Sequence, residues 1–413
     1  MKQTIFLAAL AALLCGCAKP APQNEKTIEF WTIQLKPVFT DYMTALVSSY
    51  ETTHPGVKVN WVDVPFTGIR EKLMTAYLAG TPPDVINLNV DMAMSMAQQG
   101  ALLDLNAAFP KEVRGDYLES AWNSTRIGNS VYAAPWYLAS SITIYNKDLV
   151  QKAGLANVPG TFGELEAAGK QVKEKTGKYI LCPKIGEDTD ILRYFAMDGA
   201  PVFDGKRVHI TDKASQDNME LWHRMFKLGY IPRAAAIDDH RTALNMFIRG
   251  ETALFFSGPQ FLKVVKENNP DLYTKVGVAP PIYGKSGVSD VDIMNIAVAS
   301  ASKHKAEAAD FAAYVTNGPN QLAFCRLVAI LPSVKSALND PFFAQTGGDI
   351  EQQARHMAAL SLLRTRPLTA GLTDLTQIQS IMQNAGQQAW MDKKSTADSL
   401  REAEDAINRL IAK

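Results

Sequence analysis

Pro135-Trp136-Tyr137 sets two flat aromatic rings side by side, with Ser140 and Ser141 a few residues on. Ring faces stack on the C–H surfaces of cyclic ligands, and hydroxyls supply directional bonds to a polar rim. A second set is Asn87-Leu88-Asn89-Val90-Asp91, where polar residues alternate with apolar ones. In an extended segment this alternation points two amides and a carboxylate to one side. Such groups hold a ligand by hydrogen bonds. Groups that break bonds have recognisable patterns, and no G-x-S-x-G elbow, H-E-x-x-H or Walker sequence occurs. His54, His209, His223, His240, His304 and His356 stand singly, so no metal-ligand spacing arises, and neither a metal nor a cofactor is expected. Asp and Glu total 42, so the paired carboxylates of a glycosidase are not excluded by count.

The elements that must carry these residues alternate between strand and helix. Thr27–Thr32 and Val57–Val62 have the period of strands, and Asp84–Leu88 is more continuously apolar, as in a strand buried on both faces. Helices are expected over Pro37–Tyr50, Ile69–Ala79 and Met92–Gln99, the last two stopped by Gly80 and Gly100. A second series starts with the strand Ile142–Asn146. Thr161-Phe162-Gly163-Glu164 forms a capping box for a helix that runs to Thr176 and stops at Gly177. Amphipathic stretches follow at Ser215–Leu228 and His240–Ile248, then short strands at Thr252–Phe256, Val276–Pro281 and Ile296–Val298. Helices at Lys305–Val315 and Ser395–Ile411 complete the pattern. Units of this kind predict an α/β fold with mostly parallel sheets and helices on both faces. A chain of 413 residues exceeds one ordinary domain, so two lobes are expected.

The start of the sequence bears on compartment. Lys2 and an apolar run from Ile5 to Leu14 have the form of a secretory signal over residues 1–17, too short for a permanent span. Leu14-Cys15-Gly16-Cys17 resembles the lipobox of bacterial lipoproteins, which implies lipidation of Cys17 and an extracytoplasmic, membrane-anchored protein. Residues 18–26, polar and Pro-containing, read as a flexible tether. Lys and Arg balance Asp and Glu at 42 each, which argues against nucleic-acid binding. Cys182 and Cys325 are too few for a disulfide framework and read as small buried apolar residues.

Four segments, in order, resemble family 1 of the extracellular solute-binding proteins of ATP-driven carbohydrate importers, the group that includes maltose-binding protein. They are His54–Val59 with Leu78–Val85; Gly128–Tyr137 running into Ile144–Leu149; Phe247–Leu254 with Ser257-Gly258-Pro259; and Lys305–Val315 followed by Leu331-Pro332. The resemblance spans essentially the chain beyond the leader. It implies a two-lobed periplasmic binding protein fold of type II with several crossovers. One lobe would comprise residues 27–143 and 293–340, the other 147–290 and 345–413, with a hinge at 142–146.

It also implies a sugar-like ligand in the cleft, delivery to permease subunits driven by a cytoplasmic ATPase, a monomer, and no catalysis. From the first lobe the expected contacts are Gln34, Lys36, Asn87, Asn89, Asp91, Trp136, Tyr137 and Ser140. From the second they are Glu187, Ser257, Gly258, Gln260, Arg364 and Asp374, and Asp292 and Asn295 flank the return crossing. Asp188, Asp190, Arg366 and Thr373 lie next to these. Leu88 replaces a stacking Trp of the maltose-binding relative, and Gln260 stands where relatives often carry Trp, which points to a smaller or more polar ligand. A polyol, glycerophosphodiester, polyamine or peptide remains an alternative. Trp31, Trp222 and Trp390 are expected in the core.

Overall fold

The first strand, β1 (Lys26–Ile33), shows why the sheet is covered on both sides. Ile28 and Phe30 point to one face, against Met43, Leu46 and Tyr50 of α1 (Thr40–Thr53). Trp31 and Ile33 point to the other, against Ile69 and Leu73 of α2 (Ile69–Leu78) and Met92 of α3 (Val90–Gln98). The computed structural model describes residues 25–183, 190–236, 240–369, 371–372 and 374–412. The expected leader, Cys17, Glu187, Asp188 and Thr373 lie outside the described residues.

β1 pairs in parallel with β2 (Val57–Val64) and with β3 (Val85–Asn89). Beyond β3 the sheet continues with β8 (Ser289–Val298), then β4 (Ala133–Ser140), then the short β9 (Leu331–Pro332). A second sheet has β5 (Ile142–Asn146) at its centre, between β6 (Leu254–Ser257) and β7 (Val276–Ala279). The start of β8 also pairs with β10 (Thr365–Arg366).

The expectation of mostly parallel sheets therefore holds only for β1 to β3 and for the short β8–β10 pairing. β8 is antiparallel to both β3 and β4, and β5 is antiparallel to both its neighbours. The cause is the crossover topology. β4 runs straight into β5 and carries the chain out of the first sheet, while β8 brings it back, so the outward and returning strands must oppose each other. The expected hinge segment 142–146 is itself β5, and the break between the two sheets falls at Ser141.

Helices are set by local signals where those exist. α4 (Phe162–Thr176) opens with Thr161 Oγ1 accepting from the Glu164 N–H at 3.3 Å, and Glu164 in turn accepts from the Gly160 N–H at 2.7 Å. It closes on Gly177 in the left-handed region. α5 (Asp190–Met197) packs Tyr194 against Phe162 and against Trp222 of α6 (Lys213–Lys227). α7 (His240–Ile248) and α8 (Lys305–Val315) match their expected spans, and α8 covers the first sheet. α9 (Gly318–Leu327) follows it. α10 (Ile350–Ser361) lies on β7 and β5, and the closing helices α11 (Leu375–Trp390) and α12 (Thr396–Ile411) pack on each other and on α6. No disulfide joins Cys182 and Cys325, both of which are buried. Among the described residues no helix is long and apolar enough to cross a membrane.

Candidate functional site

The carboxyl ends of β1, β2 and β3 lie side by side, the position at which open α/β sheets favour ligand binding. Past β1, Gln34 is exposed, with φ +53°, and its N–H donates to the Val64 carbonyl at the end of β2. The Asp63 carboxylate fixes this corner by accepting from the Leu35 N–H at 3.0 Å, the Lys36 N–H at 2.9 Å and the Thr32 hydroxyl at 2.6 Å. The Lys36 ammonium lies 4.4 Å above the Trp61 ring. Just past β2, Phe66 leaves 51% of its surface in water. Past β3, the Asn89 side chain accepts from the Met92 N–H at 2.9 Å and so caps α3, with Asp91 in its first turn.

The ladder between β3 and the returning strand β8 ends at Asn89 opposite Met294. Asp290 and Asp292 lie four and two residues before Met294 on β8, and Arg193 reaches them from α5. Its Nε is 3.1 Å from an Asp290 oxygen and its Nη2 donates to Asp292 at 3.1 Å. Asp290 also accepts from the Leu368 N–H at 2.8 Å. Burial pushes the half-buried Asp91 carboxyl up to about 6. Asp292 and Asp290 reinforce the rise, and the guanidiniums of Arg193 and Arg70 oppose it.

On the second sheet, Ser257 ends β6 opposite Ile142, one residue beyond the break at Ser141. His240 Nε2 and the Ser257 hydroxyl are 2.8 Å apart. Gln260 folds back over Gly258 so closely that a Cβ there would lie 2.2 Å from its amide oxygen. Arg364 stacks 4.2 Å above the Tyr283 ring and donates to the Gly287 carbonyl. Arg366 and Asp374 are exposed. A separate cavity of about 620 Å³ is lined by Thr161, Glu166, Asp217, Arg224 and Tyr283. Two of its acids are already paired, Glu166 with Arg224 and Asp217 with Lys213.

Residues 36–321 match the family described as bacterial extracellular solute-binding protein. The chain belongs to this family. A solved periplasmic-binding protein from Synechococcus sp. MITs9220 is 30% identical, with a TM-score of 0.85 over 93% of this chain and 99% of that one. The sugar-binding protein MalE from Xanthomonas citri shares the fold at a TM-score of 0.80 and 21% identity, covering 94% and 98%. The galactooligosaccharide-binding protein of Bacillus subtilis is 24% identical over 71% of this chain and 70% of its own length. The maltooligosaccharide ABC transporter solute-binding lipoprotein of Streptococcus pneumoniae is 26% identical, covering 64% and 63%. The chain thus has the two-lobed α/β architecture of its family and an extracytoplasmic location.

Within this solute-binding protein, the expected contacts divide. Gln34, Asn89, Asp91 and Asp292 gather at the strand ends, and Ser257, Gly258 and Gln260 gather beyond the break. Trp136, Asn87 and Asn295 do not serve as expected: each has 0% exposure. They belong to inner strands covered by helices on both faces. Trp136 sits where the pairing with β8 slips by one residue, and its indole turns into the core. Asn87 instead donates to the Asn295 carbonyl across the ladder. Tyr137 is half-buried against Phe324, and burial raises its hydroxyl to about 12. Ser140 is buried and donates to the Ala358 carbonyl at the break between sheets.

Arg193, Phe66 and His240 were not singled out from the sequence. Arg193 had a signal, as the basic residue inside the apolar run of α5. Phe66, after Pro65, had only its place past an alternating strand.

Proposed function

We propose that this chain is the binding component of an ABC-type importer and captures an oligosaccharide or a similar sugar-like solute between its lobes. The observation that carries this is the convergence of two faces on the crossing strand. Strand ends of the first lobe carry Gln34, Phe66 and Asp91, while Arg193 of the second lobe reaches Asp292 on the crossing strand and Ser257 stands opposite Ile142, one residue past the break. Amide, carboxylate and hydroxyl groups suit hydroxyl rims, and the exposed Phe66 ring suits a sugar's C–H face. A ligand touching both faces favours the closed arrangement by its differential affinity. Closing about the junction near Ser141 then presents one docking face to a membrane permease, which takes the ligand unchanged.

The first lobe takes residues 27–143 and 293–340 and the second 147–290 and 345–413, and the protein acts as a monomer. Cys17 carries the lipid anchor, in keeping with the lipoprotein relative of Streptococcus pneumoniae.

Titration calorimetry and thermal shift with malto-, galacto- and chito-oligosaccharides, polyols and glycerophosphodiesters test the reading. A true ligand at a hundred times its dissociation constant adds about 2.7 kcal/mol of stability. Absence of any sugar response, with a response to another class, would replace the ligand assignment. The raised carboxyl of Asp91 beside Asp292 is the feature that would suit a glycosidase, and release of an aryl group from aryl glycosides would replace the binding reading with that one.

A further inference from the structure

The outer end of the second sheet holds a cavity of about 380 Å³, towards the lower end of the roughly 300–1,000 Å³ range of small-molecule sites. It is lined by β7, by Tyr145 and Lys147 at and just past the end of β5, by Tyr273, and by Ile350 and Gln353 of α10. Tyr145 lies three residues beyond Ile142 on β5, about 10 Å of strand further from the break between the sheets. The cavity is therefore separate from the site at the strand ends. Gly277 of β7 stands opposite Tyr145 in the ladder, and a Cβ there would meet the Tyr145 ring at 2.2 Å. Only glycine leaves room for the phenol over the bare backbone, and this close approach explains a glycine inside the strand.

The acids that flank the lining residues are all engaged. Asp148 pairs with Lys275 at 3.1 Å, and Asp349 caps α10 by accepting from the Gln352 N–H at 2.9 Å. Glu351 accepts from the Tyr273 hydroxyl at 3.1 Å and lies 3.9 Å from Lys266, whose ammonium sits 5.2 Å over the Tyr273 ring. The Gln353 amide nitrogen donates to the Gly348 carbonyl at 3.2 Å. Among the described residues, the Lys147 ammonium, the Tyr145 hydroxyl and the Gln353 amide oxygen have no partner in the protein. Two aromatic rings beside an unpaired ammonium suit a ring-shaped molecule that bears a carboxylate.

We propose that this cavity is a second binding site, separate from the cleft, for a small cyclic carboxylate of the hexuronate kind. The ring lies along Tyr145 and Tyr273. The carboxylate accepts from the Lys147 ammonium and the Tyr145 hydroxyl, and a ring hydroxyl donates to the free oxygen of Gln353. The site does not depend on what the cleft holds.

The test follows the methyl resonances of Val276, Val278 and Ile350, which line the cavity, as sodium glucuronate is added to the full chain up to about 10 mM. Saturable shifts of these methyls are expected, with those of Ile142 at the break unmoved. Lys147 is exposed and Tyr145→Phe removes only a hydroxyl, so both Lys147→Gln and Tyr145→Phe should fold. Lys147→Gln should weaken glucuronate by about tenfold or more, and Tyr145→Phe by about threefold or more. Glucose keeps the ring without the carboxylate and acetate the carboxylate without the ring, so each should bind about tenfold more weakly than glucuronate, or worse. No saturable shift with glucuronate, equal binding of glucose or acetate, or unchanged affinity in Lys147→Gln overturns the site. Shifts at Ile142 with none at Val276, Val278 and Ile350 would make glucuronate a cleft ligand, so that the second site falls while capture in the cleft stands.

Discussion

The Trp136 indole lies parallel to the Phe324 ring, with centroids 5.2 Å apart and planes inclined by 16°. Tyr42 stacks on Phe324 as well, at 5.0 Å, so the Phe324 ring of α9 ties α1 to β4. Trp136 is fully buried and its indole N–H finds no acceptor. Burying so large a ring outweighs the roughly 1–3 kcal/mol cost of one unmet donor. Trp136→Ala should therefore cost about 3–5 kcal/mol in urea unfolding. Trp136→Phe should cost less than about 1.5 kcal/mol, because it keeps a ring and removes the orphan donor. Neither should weaken sugar binding by more than the stability loss explains, and calorimetry on the folded variants checks this.

Phe66 behaves in the opposite sense. With half its surface in water it contributes little to the fold, so Phe66→Ala should leave the urea midpoint within about 0.5 kcal/mol of wild type. If its ring stacks on a sugar, the same change should weaken affinity about tenfold, corresponding to about 1.4 kcal/mol. Calorimetry with the ligand found in the oligosaccharide screen measures this, and an unchanged affinity removes Phe66 from the site.

Gln321 is buried and joins three segments. Its Nε2 donates to the Thr316 carbonyl at 2.6 Å and to the Ser333 hydroxyl at 2.9 Å, and its oxygen accepts from the Ser333 N–H at 2.6 Å. Gln321→Leu strands the Ser333 N–H and the Thr316 carbonyl, so a loss of about 2–4 kcal/mol is expected. Gln321→Glu keeps the acceptor but turns a carboxylate towards the Thr316 carbonyl. Its folded-state pKa should lie above the unfolded value, so its stability should recover as pH falls from 8 to 5. Urea midpoints across that range test the sign, and a loss on acidification would refute it.

Elements with strong local signals were legible in the sequence. α4 has its capping box and left-handed Gly177, and α7 and α8 have sustained helical periodicity. β8 was legible only over Ile296–Val298, because its first half alternates Asp290 and Asp292 with apolar residues. That polar face is the ion cluster itself, and its partner Arg193 lies about a hundred residues away in sequence. Trp136 was misplaced for a different reason. A Pro-Trp-Tyr run shows neither which ring faces the core nor that the pairing slips there. Strand direction was equally hidden, since it depends on which lobe the chain is leaving.

The tail helix α12 acts as a staple on the second lobe. Val208 forms an isolated bridge with Phe203, and side chains of α12 bind further backbone groups of residues 208–211. The Glu404 carboxylate accepts from the Ile210 N–H at 2.6 Å, the Thr211 N–H at 3.0 Å and the Thr211 hydroxyl at 3.1 Å. One turn on, Asn408 accepts from the Val208 N–H at 2.8 Å and donates to the Val208 carbonyl at 2.9 Å. Bonds to an ionised acceptor contribute about 1.5–3 kcal/mol, more than neutral ones. Glu404→Gln keeps an acceptor oxygen without the charge and should cost about 1 kcal/mol. Glu404→Ala leaves two partly buried N–H groups unmet and should cost about 2–4 kcal/mol. Hydrogen exchange at Ile210 and Thr211 is the decisive measurement: their amides should lose protection in Glu404→Ala while those of β1 to β3 keep theirs. Unchanged protection at Ile210 would mean that the backbone there is held by something other than this carboxylate.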